Sequence, residues 1–198
     1  MRLHKLVLPV MLLTLALSAS AQSARAGAQF GLEPGQVAPL EIGANFIYVR
    51  ANAPPEQCGC FSLIGGGGSL VINATHGISI VADVAATHAN NVDATTQNIT
   101  ILNYLAGPRY SYRAFRHFTP YAQALFGGSN ELSNYASVQN VNAFTADGGL
   151  GVSTVLTRRI GWTIVQADYI YSRLPNASNN RQNDLRVATG IIFRFPPR

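Results

Sequence analysis

The sequence predicts an all-β protein, an eight-stranded antiparallel up-and-down transmembrane β-barrel that follows a cleaved N-terminal signal peptide. From Leu40 onward, stretches of about 11 to 13 residues rich in Val, Ile, Thr, Tyr and Phe alternate with segments rich in Gly, Asn, Ser and Pro. Such lengths suit tilted strands that cross a bilayer, about 9 to 11 residues, better than the roughly five or six residues of strands in soluble sandwiches. In several stretches the charged residues share one face and the apolar residues share the other.

The composition limits the chain to one domain and excludes two other classes. The 198 residues are 47% hydrophobic and 12% charged, which is too apolar and too weakly charged for a disordered protein. After residue 21 there are 12 arginines and nine carboxylates, and the arginines are dispersed singly or in pairs. Because phosphate binding needs a clustered basic face, we expect no nucleic-acid partner.

The first segment has the form of a secretion signal. Arg2, His4 and Lys5 form a basic start, Leu6–Leu17 is apolar, and Ala19-Ser20-Ala21 offers the small residues that a signal peptidase accepts. Cleavage after Ala26 is an alternative, and a retained membrane anchor is another. The predicted organisation is a signal peptide at 1–21, a flexible lead-in at 22–39, a barrel at 40–195 and a short tail at 196–198.

Eight strands are predicted in the barrel region. They are Leu40–Ala51, Phe61–Asn73, Ile78–His88, Ile99–Tyr112, Thr119–Ser129, Phe144–Leu156, Gly161–Arg173 and Asp184–Phe195. The connections alternate between short (Ala74–Gly77, Arg113–Phe118, Thr157–Ile160) and long (Asn52–Cys60, Ala89–Asn98, Asn130–Ala143, Leu174–Asn183). Long loops at one rim and short turns at the other are typical of an outer-membrane barrel, whose short turns lie in the periplasm.

The last stretch indicates which face lies inside. Leu185, Val187, Thr189, Ile191, Phe193 and Phe195 share one face, opposite a face that contains Arg186 and Arg194. A soluble eight-stranded carrier would be apolar inside and polar outside, so the arginine face is predicted to be the interior and the aromatic face to contact lipid.

Three features fit this pattern less well. Pro108 falls within a strand that has no free edge in a closed barrel, so it predicts a bulge. Val81 and Ile192 lie on the polar face, and the stretch around Gly65–Gly68 shows no alternation.

Several motifs together resemble the OmpA-like, opacity-type family of eight-stranded outer-membrane barrels, over about Leu40 to Phe195. The motifs are Leu185–Phe195 (LRVATGIIFRF), Gly107-Pro-Arg-Tyr110, Thr119–Gly128 (TPYAQALFGG) and Gln166-Ala-Asp-Tyr169. The resemblance implies contact with outer-membrane lipid, and contact with periplasmic chaperones and the barrel-assembly machinery during biogenesis. Ile191, Phe193 and Phe195 match the family's closing-strand assembly signal. We expect a barrel domain without a peptidoglycan-binding domain, so the resemblance does not imply a role in tethering the cell wall.

The lumen of an eight-stranded barrel is just wide enough to be filled by side chains. The predicted lumen charge network consists of Glu41, Asp83, Arg109, Gln123, Asp147, Gln166, Asp168, Arg186 and Arg194. Glu41 and Arg194 lie on the first and last strands, which become neighbours on closure, so we expect them to pair. Arg186 is expected to meet Asp168 or Asp147. A plugged lumen is the favoured interpretation, and a gated small-ion path through the same residues is the alternative.

The candidates for other chemistry are weak. Cys58-Gly59-Cys60 lies in the first long loop and is interpreted as a local disulfide, with free or intermolecular thiols as the alternative. Two thiolates make an incomplete zinc site, so no metal or other cofactor is expected. His76, His88 and His117 are scattered and form no nucleophilic set with a serine or cysteine and a carboxylate, so no enzyme is expected.

These observations predict a monomeric outer-membrane barrel that serves envelope integrity or surface interaction through its external loops. Asn130–Ala143 is the predicted largest loop and the first candidate contact surface. A small-solute or ion channel is the alternative function, and a soluble periplasmic ligand-binding barrel is the next.

Overall fold

The chain forms a closed barrel of eight antiparallel strands, in which each strand pairs with its sequence neighbours and the last pairs with the first. This computed structural model describes residues 37–51, 61–75, 77–90, 98–115, 118–133, 141–174 and 181–196. The predicted eight-stranded antiparallel barrel is confirmed, and the predicted signal peptide lies outside the described residues. No helix in these ranges is long and apolar enough to cross a membrane.

The strands are long and their bounds lie close to those predicted. They are β1 Leu40–Ala51, β2 Phe61–Asn73, β3 Ile78–Ala89, β4 Ile99–Ser111, β5 Thr119–Ser133, β6 Val141–Val155, β7 Ile160–Ser172 and β8 Gln182–Phe195. Below, the turn end is the rim where β1 begins, β8 ends and the short connections lie, and the loop end is the opposite rim.

The predicted loop Asn130–Ala143 was too long. In the structure β5 continues to Ser133 and β6 begins at Val141, and Asn130 pairs with Asn142 across the ladder. Asn130 Nδ2 also donates a hydrogen bond of 3.0 Å to Asn142 Oδ1. Asparagine is typical of turns, but paired asparagines also extend a ladder beyond its apolar part, and residues 134–140 alone lie between the two strands.

The two faces of the wall carry opposite kinds of side chain, as the alternation predicted. In β8, Phe193 is 46% exposed on the outside, whereas Arg186 is 1% exposed inside. In β2, the stretch without readable alternation, burial also alternates, since Leu63 and Val71 are buried and Ile64 is exposed, but both faces carry apolar side chains. Hydrogen bonding of the whole ladder and this sorting of side chains are what a sheet needs to close on itself in an apolar medium.

The bulge predicted at Pro108 is absent. The β4–β5 ladder pairs Ala106 with Phe126 and Arg109 with Gln123, in one register on both sides of the proline. Proline lacks the N–H that the ladder needs, so the pairing is interrupted at this point, but the flanking pairs keep the register without an extra residue.

The bulge of this barrel lies instead in β7. The register of β7 shifts between Thr163 and Gln166 against β8, and at the same place against β6. One extra residue in the Ile164–Val165 step therefore changes the parity of the strand. As a result Thr163 is buried before the bulge and Gln166 and Asp168 are buried after it.

The end of the predicted flexible lead-in is held against the barrel. The Asn73 side chain donates from Nδ2 to the carbonyl of Ala38 at 2.7 Å, and the Asn73 backbone N–H donates to the carbonyl of Pro39 at 2.9 Å. Ala38 is buried. Two backbone carbonyls are thus bound to Asn73, the last residue of β2, and residues 22–36 lie outside the described ranges.

Candidate functional site in the lumen

One arginine joins opposite sides of the barrel at the middle of the lumen. Arg186 Nε donates to Asp168 Oδ2 at 2.8 Å, Nη1 to Asp83 Oδ1 at 2.9 Å and Nη2 to Asp147 Oδ2 at 2.8 Å. Asp168 faces Arg186 directly in the β7–β8 ladder. The sequence predicted that Arg186 meets Asp168 on β7 or Asp147 on β6. In the structure Arg186 contacts both of these aspartates and also Asp83, which reaches it from β3 across the lumen.

This buried cluster carries more carboxylates than cations. A buried charge is tolerated only when its hydrogen bonds are satisfied. Here each of the three guanidinium nitrogens of Arg186 donates to a different aspartate. Asp147 Oδ1 accepts no hydrogen bond from the residues that the structure describes.

A chain of hydrogen bonds extends the cluster toward the turn end. Gln166 Nε2 donates to Asp168 Oδ2 at 2.8 Å, and Gln123 Nε2 donates to Asp168 Oδ1 at 3.2 Å. Gln123 Oε1 in turn accepts from Arg109 Nε at 3.1 Å and from Nη2 at 2.7 Å. The Tyr121 hydroxyl donates to Gln166 Oε1 at 2.7 Å. The guanidinium carbon of Arg109 lies 4.2 Å from the centre of the Tyr121 ring.

Two glycines of β6 make room for this network. A Cβ on Gly149 would overlap the carboxylate of Asp168, and a Cβ on Gly151 would overlap the ring of Tyr121. These two inward positions of β6 are therefore small because neighbouring strands supply large polar side chains there.

The turn end of the lumen holds a second group of charges. Arg194 Nε donates to Glu41 Oε1 at 3.2 Å across the β1–β8 seam, the pair expected from closure. Arg113 Nη2 donates to Asn73 Oδ1 at 2.9 Å. Burial lowers the pKa of the Arg113 guanidinium, the Glu41 charge raises it and the Arg194 charge lowers it further. These side chains line a cavity of about 40 Å³.

The loop half of the lumen is filled differently. One side is an apolar cluster that includes Ile47, Val49 and Leu63. The other side is polar, and Ser129 bonds there to both Asn103 and Thr145. The cavity left in this half is about 10 Å³, room for about one water molecule.

Sequence reasoning missed several buried polar residues. Tyr121 shares the parity of Gln123 on β5, so alternation was enough to place it inside, whereas Glu131 falls in the predicted loop Asn130–Ala143. Asp184 shares the parity of Arg186 on β8, so alternation alone was enough to place it inside.

The remaining predicted sites lie outside the lumen or outside the described ranges. Ile191, Phe193 and Phe195 are exposed on the outer wall of β8. His88 is also on the outer wall, where Nδ1 lies 2.8 Å from Thr100 Oγ1 and Nε2 lies 2.7 Å from Asn90 Oδ1. Four predicted residues fall outside the described residues: Cys58, Cys60, His76 and His117.

Comparisons with known proteins support the fold. No protein-family model and no curated protein matches the sequence. Among solved structures, neisserial surface protein A is similar with a TM-score of 0.60 and 14% identity, over 79% of this chain and 97% of that chain. Ail, the attachment invasion locus protein of Yersinia pestis, has a TM-score of 0.55 and 13% identity, over 81% and 100%.

The outer membrane protein OprG from Pseudomonas aeruginosa has a TM-score of 0.52 and 12% identity, over 82% of this chain and 98% of that chain. At identities this low the likeness concerns the fold. It shows that the chain shares the eight-stranded barrel fold of these proteins.

Proposed function

We propose that this protein is a monomeric outer-membrane barrel that presents its loops at the cell surface, in surface interaction or envelope integrity, and catalyses no reaction. One observation carries the proposal: the side chains are sorted opposite to those of a soluble barrel. Large apolar residues such as Phe46, Phe126 and Leu150 are more than half exposed on the wall, while Arg186 and Asp168 are buried. Exposing such a wall to water would be unfavourable, whereas lipid accepts it.

Outward tyrosines near the loop end support a membrane boundary there. The hydroxyl of Tyr48 lies 2.8 Å from Ser62 Oγ, and that of Tyr169 donates to Asn183 Oδ1 at 2.8 Å. Tyrosines whose rings face the apolar zone and whose hydroxyls meet polar groups are typical of the interface between hydrocarbon and water.

The filled lumen favours a structural or surface role over transport. The two cavities of about 10 and 40 Å³ lie on either side of the Arg186 cluster. The similar proteins named above include a surface protein and an attachment invasion locus protein, and these names agree with a role at the cell surface. The loops are therefore the parts we propose to meet a partner.

Surface labelling of a short epitope tag tests location and orientation together. A tag inserted within residues 134–140 is expected to be labelled by antibody on intact cells, in a protein that fractionates with the outer membrane. The same tag in the short β6–β7 connection, residues 156–159, is the matched control and should be labelled only after the cells are permeabilised. Recovery in the soluble periplasmic fraction would refute the proposal, and reversed labelling would refute the orientation.

A narrow channel is the competing function, because the polar network follows the lumen axis. In planar bilayers we expect no steady unitary current from the folded protein, since the lumen at Arg186 is closed by three ion pairs. Steady currents that the Arg186→Ala variant abolishes would favour the channel instead.

A further inference from the structure

The turn-end cavity has an excess of positive charge. Among the described residues that line it are three guanidiniums, those of Arg109, Arg113 and Arg194, and one carboxylate, that of Glu41. The rest of the lining is uncharged, with polar groups such as the Asn73 side-chain amide and apolar side chains such as Val71 and Ile192. With these groups ionised, the cavity carries a formal excess of two positive charges, and the side chains of Arg194 and Glu41 are only 10% and 15% exposed.

Each arginine is held in place by its own contacts. Arg109 lies against Tyr121 and donates to Gln123, Arg113 donates to Asn73, and Arg194 donates to Glu41. A guanidinium carries five N–H donors in a planar fork that matches the oxygens of carboxylates and phosphates. Three forks fixed around one cavity are therefore prearranged for an oxyanion.

The neighbouring Arg186 cluster limits how far an anion can move. There one guanidinium faces the carboxylates of Asp83, Asp147 and Asp168, a formal excess of two negative charges. An anion that enters from the turn end is attracted by the cavity arginines and repelled by the carboxylates behind them. The charge order along the lumen thus makes a closed binding site rather than a passage.

We propose that this turn-end cavity binds one small oxyanion of the phosphate class. Its volume of about 40 Å³ holds one such ion or about three water molecules. The proposal goes beyond the surface role and does not depend on what the loops bind.

Titration of the purified, folded barrel in detergent micelles with inorganic phosphate, followed by the ³¹P NMR linewidth, tests the site. We expect saturable binding that is about fivefold weaker in Arg113→Gln, because one guanidinium is lost. Glu41→Gln should bind phosphate about threefold more tightly, because it removes the negative charge from the lining. Arg158→Gln, at an exposed arginine in the β6–β7 connection, is the matched control and should bind like the unaltered protein.

The Glu41→Gln arm separates binding from folding, since a misfolded variant cannot gain affinity. The proposal is overturned if binding does not saturate, or if Arg158→Gln weakens it as much as Arg113→Gln does. It is also overturned if binding saturates but none of the three variants changes it, because the phosphate then sits elsewhere.

Discussion

At the scale of single residues, the lumen depends on Arg186 being matched by several carboxylates at once. Parity along the strands was enough to predict that Arg186, Asp147 and Asp168 point inward, because every second residue faces the same side. Parity does not state which inward residues meet across the lumen. That depends on the strand stagger and the barrel width, so Asp83 as a third partner came only from the structure.

Removing Arg186 should be strongly destabilising. Arg186→Ala leaves three buried aspartates without their cation, and loss of one partner from a buried pair typically costs about 3–5 kcal/mol. We expect a decrease of that size in the free energy of unfolding, measured by urea titration in lipid vesicles. Arg50→Ala is the control, since Arg50 is exposed and donates to Ser62 Oγ, and it should change the value by no more than about 0.5 kcal/mol. Similar values for both variants would mean that the buried cluster contributes no stability.

Adjacent glycines of β6 offer a second comparison. A methyl group on Gly149 would overlap the Asp168 carboxylate, whereas one on Gly148 meets no atom within 4 Å. Gly149→Ala must displace Asp168 from Arg186, and we expect a loss of about 1–3 kcal/mol in the same unfolding measurement. Gly148→Ala should stay within about 0.5 kcal/mol of the unaltered protein. Equal effects would show that Asp168 has room to move without weakening its ion pair.

At the scale of strands, sequence patterns predicted the number, order and approximate bounds of the elements but not their irregularities. Every strand of such a barrel crosses the same bilayer, so the length and composition of each strand can be predicted from its own stretch of sequence. A bulge depends on the register with two neighbours, which is a property of three strands together. Pro108 therefore predicted a bulge in β4 that is absent. The bulge that does occur, at Ile164–Val165 in β7, contains no proline or glycine that would have indicated it.

The β7 bulge contains one residue more than a regular strand, so the strand should tolerate its loss. Deleting Val165 leaves Thr163 and Gln166 facing inward with one outward residue between them, and we expect the barrel to form. Deleting Val187, an outward valine in the regular part of β8, moves Arg186 to the opposite face relative to Ala188 and should prevent folding. Heat-modifiability on SDS gels distinguishes the two, because a folded barrel migrates anomalously until boiled. A folded Val187 deletion would show that parity in β8 is not decisive.

At the scale of the whole molecule, closure of the sheet converts one alternating pattern into two environments. Because β1 pairs with β8, every strand has a partner on both sides, and within the described strands the pairing is interrupted near Pro108 and at the β7 bulge. The inside of the closed sheet then has to be filled by side chains. The sequence predicted a closed barrel and, from closure, the Glu41–Arg194 pair, but it did not predict that the lumen divides into a loop half with one apolar and one polar side, a central charged cluster and an arginine-rich turn end. That division arises from residues on all eight strands at matching heights.

The depth of each outward residue in the bilayer provides the decisive test of the whole arrangement. Phe126 lies in the middle of β5 and is 54% exposed, and Phe118 lies in the turn before that strand and is 53% exposed. In water the same change at two equally exposed phenylalanines should have similar effects. In a bilayer, an outward arginine costs about 2–4 kcal/mol at the midplane and about 0–1 kcal/mol near the interface. We therefore expect Phe126→Arg to lower the free energy of unfolding in lipid vesicles by at least about 2 kcal/mol and Phe118→Arg to lower it by less than about 1 kcal/mol. If both substitutions were equally mild, the aromatic wall would not face hydrocarbon, and the soluble barrel would become the better interpretation.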